Sequence, residues 1–127
     1  MSFAWVEYLT VAEALVHQRG TLAPEEACCR AAISRAYYAA YGAARNHARD
    51  VEGLGLMQTG DDHQRVLGHY RRAAAPSHQA IGELLFRLRQ ARAQADDADT
   101  LPNAVPRAYA ALRRARRVCA LVEALQG

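Results

Sequence analysis

The sequence predicts an all-α fold, a single up-and-down bundle of about five helices covering residues 1–127. Three observations lead there. Apolar residues return at steps of three and four through most of the chain. No stretch sustains a period of two, and β-branched residues are few. Proline and glycine punctuate the periodic segments, and the short connections they leave favour antiparallel neighbours. With 127 residues, 51% of them hydrophobic, the chain is long enough to bury a sizeable core as one domain.

The first helix is predicted from about Phe3 to Gln18. Trp5, Tyr8, Leu9, Ala12, Leu15 and Val16 recur at helical spacing, and Gly20 stands where a C-terminal cap belongs. Pro24, Glu25 and Glu26 then suit the first turn of a second helix, whose positive end favours carboxylates. It is predicted to run to about Arg49, roughly 40 Å at about 1.5 Å per residue. Val51 to Gly60 holds Gly53, Gly55 and Gly60 and reads as a loop. Asp61 or Asp62 is placed to cap a third helix ending near Arg72. The stretch from Ala73 to Ser77 breaks it at Pro76. A fourth helix follows, carrying Ile81, Leu84, Leu85, Leu88 and Ala91 and fading through Asp96, Asp97 and Asp99 before Pro102. The fifth is predicted from about Pro106 to Leu125.

Composition narrows the function classes. No run approaches the roughly 18 apolar residues that cross a bilayer, and the N-terminal residues lack the pattern of a signal peptide. The expected location is cytoplasmic. Cys28 and Cys29 are adjacent and pair poorly on a helix, Cys119 is alone, and no cysteine or histidine spacing suggests zinc. All three read as small hydrophobes, His17, His47 and His69 as scattered, and neither metal nor cofactor is expected. The net charge of +3 is mild, although every one of the sixteen basic residues is arginine.

The second helix carries the most informative stretch, Ser34-Arg35-Ala36-Tyr37-Tyr38-Ala39-Ala40-Tyr41. Ser34, Tyr38 and Tyr41 share a face at helical spacing, with Tyr37 and Arg35 pointing elsewhere. An arginine in so apolar a segment needs a partner or an exit to water. Asp96 is the preferred partner, through a salt bridge that Arg92 could join; the competing reading makes these polar groups a binding site. Tyr37, Tyr38 and Tyr41 could stack a base, against the plainer reading of core or dimer interface. His63 is placed to contact this helix.

His63-Gln64-Arg65-Val66 follows that stretch, and then Leu88-Arg89-Gln90-Ala91-Arg92-Ala93-Gln94-Ala95-Asp96. In this order and spacing the chain resembles the HEPN superfamily (higher eukaryotes and prokaryotes nucleotide-binding domains), in the branch with an S-R-x-Y-Y-A helix and a later R-x-x-A-D segment. The resemblance covers Trp5 to about Leu125. It implies a helical bundle, commonly a homodimer, often paired with a nucleotidyltransferase in toxin–antitoxin or defence modules. Other members are metal-independent RNases, with an arginine, then four to six intervening residues, then a histidine, at the dimer interface.

This chain departs from the nuclease pattern. Positions 97 to 99, where the histidine would follow Arg92, are Asp97, Ala98 and Asp99. Arg71 or Arg72 with His78 matches formally, but across the break at Pro76. The expectation is therefore a HEPN-like component, non-catalytic or atypical, that binds RNA, a nucleotide or a nucleotidyltransferase partner. One alternative is an RNase using His63 or His78 with Arg92; another is a plain protein-interaction bundle. On the fifth helix, Arg113 and Arg117 share a face, as do Arg114 and Arg117. With Arg107 and Arg116 they read either as a patch for RNA phosphates or an acidic partner, or as a solvated face.

Overall fold

The computed structural model describes residues 2–126, and it is all-helical, as predicted. Five helices follow in order: α1 (Glu7–His17), α2 (Glu25–Asp50), α3 (Asp62–Arg72), α4 (Pro76–Asp97) and α5 (Ala104–Gln126). No strand forms among the described residues; one isolated bridge, Arg19 to Ala23, closes the turn between α1 and α2. Helix α2 is the axis of the bundle, packing against all four others.

The sequence of α2 explains that position. Ala32, Ala36, Ala39, Ala40, Ala44 and Ala48 are buried, so neighbouring helices can approach its backbone closely. Larger side chains from both sides fill the remaining space, among them Ile33 and Tyr37 from α2, Val16, Val66, Ile81, Leu88 and Val118. These belong to one continuous apolar cluster to which every helix contributes. Tyr70 reaches into it from α3, and its buried hydroxyl donates to the Ala44 carbonyl at 2.6 Å.

Polar side chains also tie helix ends together. Arg30 of α2 donates from Nη1 to the Ala95 and Ala98 carbonyls at 2.9 and 2.7 Å, satisfying acceptors that the end of α4 leaves open. Gly20 has φ +80°, the left-handed conformation its place beyond α1 requires. Cys28 and Cys29 are buried as expected, and Cys119 is half-buried.

Several boundaries differ from expectation. Helix α1 begins at Glu7 rather than Phe3, because residues before it form a turn in which the Glu7 amide donates to the Ala4 carbonyl. This frees Trp5 to lie across α2. Helix α5 starts at Ala104, so Pro106 sits inside its first turn, where a missing amide proton costs nothing. Asp61 occupies the N-cap of α3 without a side-chain cap bond, and Asp62 turns back to the preceding loop instead.

Gly42 is the tightest point. A Cβ there would overlap the Trp5 indole and its Cβ. Gly42→Ala should therefore cost about 1–3 kcal/mol in urea denaturation, although alanine is the better helix former. In a Trp5→Ala background the same change should lose most of its penalty; an undiminished cost would show that Trp5 is not what constrains the site.

Candidate functional site

The tyrosine stretch of α2 and His63 of α3 form one aromatic cluster. His63 lies flat on Tyr41, with ring centroids 4.0 Å apart and planes 3° apart. Its Nδ1 is 2.5 Å from the Tyr37 hydroxyl. Tyr37 and Tyr41 themselves stack at 5.7 Å, while Tyr38 meets Tyr37 edge-on at 5.2 Å. Tyr37 thus joins Tyr38 and Tyr41 rather than facing away from them, since residues four apart share a face as readily as those three apart. The expected contact of His63 with this helix is present.

Burial first, then the positive charges of Arg89, Arg92 and Arg45, hold the His63 pKa below its ordinary value, with Asp62 opposing. Burial likewise raises the Tyr37 and Tyr41 hydroxyls, Arg45 opposing at Tyr41. With the phenol protonated and the imidazole neutral, Tyr37 can donate to Nδ1, which places the imidazole proton on Nε2.

Guanidinium groups surround these rings. Arg35 lies over Tyr8 and Tyr38 at 4.8 and 5.0 Å, and Arg92 over Tyr37 and Tyr38 at 5.3 and 5.6 Å. Arg45 lies over Trp5 and Tyr41 at 4.7 and 5.5 Å. Arg92 Nε is buried and has no hydrogen-bond partner among the described residues. Alongside the rings opens a cleft of about 530 Å³, lined by Trp5, Tyr38, Tyr41, Arg45, His63 and the loop residues Gln58 and Thr59.

The loop that forms the cleft's rim is held by carboxylates at both ends. Asp62 accepts from the Met57 and Gln58 amides at 2.9 and 2.7 Å, and from Arg65 at 3.1 Å. The Met57 bond is the main cause of its lowered pKa, opposed by burial and reinforced by Gln58 and Arg65. Gln58 is held at φ +58°, a conformation costing a non-glycine residue about 1–3 kcal/mol.

At the other end, Glu52 gathers three histidines. Its carboxylate oxygens lie 3.2, 2.7 and 2.6 Å from the Nε2 atoms of His47, His69 and His78. These come from α2, α3 and α4, so one side chain pins three helices to the loop. Burial alone would raise the Glu52 pKa, but the hydrogen bonds from His69 and His78 outweigh it and bring it to about 2. His47 and His69, which sequence spacing leaves scattered, are thus brought together. Glu52 escaped sequence reading because the cluster joins residues far apart in the chain, with no local period to mark it.

The expected Arg35–Asp96 pair does not form. Arg35 is only half-buried and spends its charge on two tyrosine rings and the Ser34 hydroxyl, 3.4 Å away. Asp96 is exposed and meets Arg92 of its own helix at 3.4 Å. Of the two needs, a partner or an exit to water, Arg35 has the exit, since the flank of α2 at Arg35 reaches the bundle surface.

His78 is engaged by Glu52, and Arg71 pairs with Glu83 at 3.2 Å, so the formal arginine–histidine match has other partners. Arg113 and Arg117 are exposed on α5, whereas Arg114 is half-buried beside α4. Among the described residues no group of three or more His, Cys, Asp or Glu side chains is placed to hold a metal ion. No helix among them is long and apolar enough to cross a membrane. Comparison with protein-family models, with curated proteins and with solved structures finds no match to this chain.

A carboxyl whose folded pKa lies below its unfolded value stabilises the fold above the unfolded value. That contribution is lost as pH falls through the folded one. For Glu52 the window runs from 4.5 down to about 2. Glu52→Gln should lower the melting temperature at neutral pH and flatten the loss of stability across that window; an acid limb identical to wild type would sink the assignment. Arg35→Ala and Asp96→Ala should have additive effects on urea denaturation, within about 0.5 kcal/mol, and a larger coupling would restore the pair.

Proposed function

We propose that this chain is a HEPN-like binding module for single-stranded RNA or a nucleotide, without catalytic activity of its own. In this reading it works in the cytoplasm as a homodimer within a toxin–antitoxin or defence-type module, beside a nucleotidyltransferase partner. The observation that carries the reading is the cleft at Tyr38, Tyr41, Arg45 and His63. Aromatic rings and a guanidinium meet there at an open surface, with Arg92 behind them keeping one buried N–H without an acceptor. Rings hold bases by stacking, and guanidiniums hold phosphates by paired hydrogen bonds, so the combination suits a nucleotide better than an apolar ligand.

Proton bookkeeping at the site supports the non-catalytic reading. Cleavage by a 2′-hydroxyl needs one group to accept a proton and another to supply one to the leaving oxygen. His63 is the one imidazole in the cleft, and Tyr37 already occupies its Nδ1. A second reading keeps His63 as the base of an atypical RNase, favoured by its neutral state between Arg92 and Arg45. The resemblance in the order Tyr-rich helix, His63 and Arg92–Asp96 supports both readings. A plain protein-interaction bundle would leave the cleft without a role.

Fluorescence anisotropy with a labelled trinucleotide should show saturable binding that Tyr38→Ala or Arg45→Ala weakens about tenfold, while the RNA stays intact in the presence of chelator. No binding by wild type would defeat the proposal. Cleavage that disappears in His63→Ala would replace it with the RNase reading.

A further inference from the structure

A second surface remains outside that cleft. Helices α4 and α5 enclose a groove of about 440 Å³ lined by Arg87, Gln90, Gln94, Arg107 and Arg114, with alanines between them. No acidic side chain lines it, and among the described residues none of these three arginines forms an ion pair. Elsewhere on the bundle Arg19, Arg30, Arg49, Arg65, Arg71, Arg92 and Arg116 each have a carboxylate partner, and Arg35 and Arg45 lie on aromatic rings, so what marks this groove is three arginines gathered in one lining with no carboxylate among them.

The groove is also pre-arranged. Arg107 donates from Nε to the Pro102 carbonyl at 2.9 Å and from Nη1 to the Gln94 side-chain oxygen at 3.0 Å. Those two bonds fix the plane of the guanidinium and leave Nη2 without a partner among the described residues. Gln94 has its oxygen committed to Arg107, so its amide N–H groups are the part left to face a ligand. Arg114 lies seven residues after Arg107, two turns along the same flank of α5, and is half-buried where the helices meet. Arg87 approaches from α4. One held guanidinium, two further cations and no carboxylate in the lining describe a receptor for an anion with several oxygens.

We propose that this α4–α5 groove is a phosphate-binding track for the sugar–phosphate backbone of a single-stranded RNA, separate from the aromatic cleft. The proposal rests on the RNA-binding reading above for its choice of polyanion, and deepens it by assigning the backbone to a different face. Single-stranded ligands are held by stacking platforms together with cationic grooves that follow the strand. Here the two elements lie on different sides of α4. Arg89 and Arg92 lie towards the tyrosines, and Arg87 and Gln94 towards α5. A trinucleotide would then need only the cleft, whereas a longer strand would use both.

The experiment compares a labelled trinucleotide with a long labelled oligouridylate, each titrated at several salt concentrations, on wild type and on Arg107→Gln/Arg114→Gln. The double variant should leave trinucleotide affinity unchanged. For the long strand it should weaken binding about tenfold and reduce the salt slope by about 1.4, two phosphate contacts at about 0.7 each. Arg107→Lys/Arg114→Lys should recover the slope, because the charge remains. Arg87→Gln, at an exposed residue, should lower the slope by about 0.7, a readout that survives if the double variant folds poorly. Wild-type affinity and slope in both glutamine variants would overturn the groove. So would polyglutamate of matched charge competing as well as RNA, because the groove would then serve an acidic peptide. Failure of the trinucleotide to bind wild type, with the long strand still dependent on the groove arginines, would remove the cleft and leave the groove standing.

Discussion

Everything in this bundle depends on how completely α2 is enclosed. A helix packed against four others has little surface from which a polar group can reach water, and an unsatisfied buried polar group costs about 1–3 kcal/mol. Several polar side chains on α2 therefore have a specific exit. Tyr37 meets His63, His47 meets Glu52, and Arg30 reaches the open carbonyls of α4. Arg35 and Arg45 lie on aromatic faces. The proposed binding cleft lies where some of those exits come to the outside.

This view explains how the aromatic cleft can be structural and suited to binding at once. Tyr41 gives one face to His63, so part of its stacking capacity is already used within the fold. Tyr38 has the guanidiniums of both Arg35 and Arg92 within reach of its ring, so its position too is tied to the fold. What the cleft would offer a ligand is thus the rim of a packed cluster whose rings are held by their neighbours. Rings and cations held in this way would lose little freedom on binding the proposed nucleotide, which favours recognition by shape and charge over adaptation.

Local pattern in the sequence was enough for the helices, because period and breakers act within a few residues. Pro24, Gly20, Pro76 and Pro102 mark real boundaries, and His63 meets the Tyr-rich stretch as expected, although Tyr37 joins that cluster instead of facing away. Legibility ended where a side chain had a choice of distant partners. Arg35 and Asp96 are both plausible ions, but whether they meet depends on the rotation of α2 against α4, which no local spacing reports. The Glu52 cluster was invisible for the same reason: His47, His69 and His78 become neighbours only when three helices converge. The α4–α5 groove was half legible, since Arg107 and Arg114 share a flank at helical spacing, while Arg87 and Gln94 reach it only through the helix pairing.

The stretch between α2 and α3 carries three glycines and no regular structure, a composition that ordinarily signals a floppy connection. Its amides tell otherwise. Glu52 donates to the His47 carbonyl, Leu54 to Ala48, and Met57 and Gln58 to Asp62. A protected amide exchanges with solvent only when its bond opens, so this loop should exchange its protons more like a helix end than like a linker. The mouth of the cleft is then built before any ligand reaches it, and the ordering entropy of that rim has been settled during folding rather than at binding.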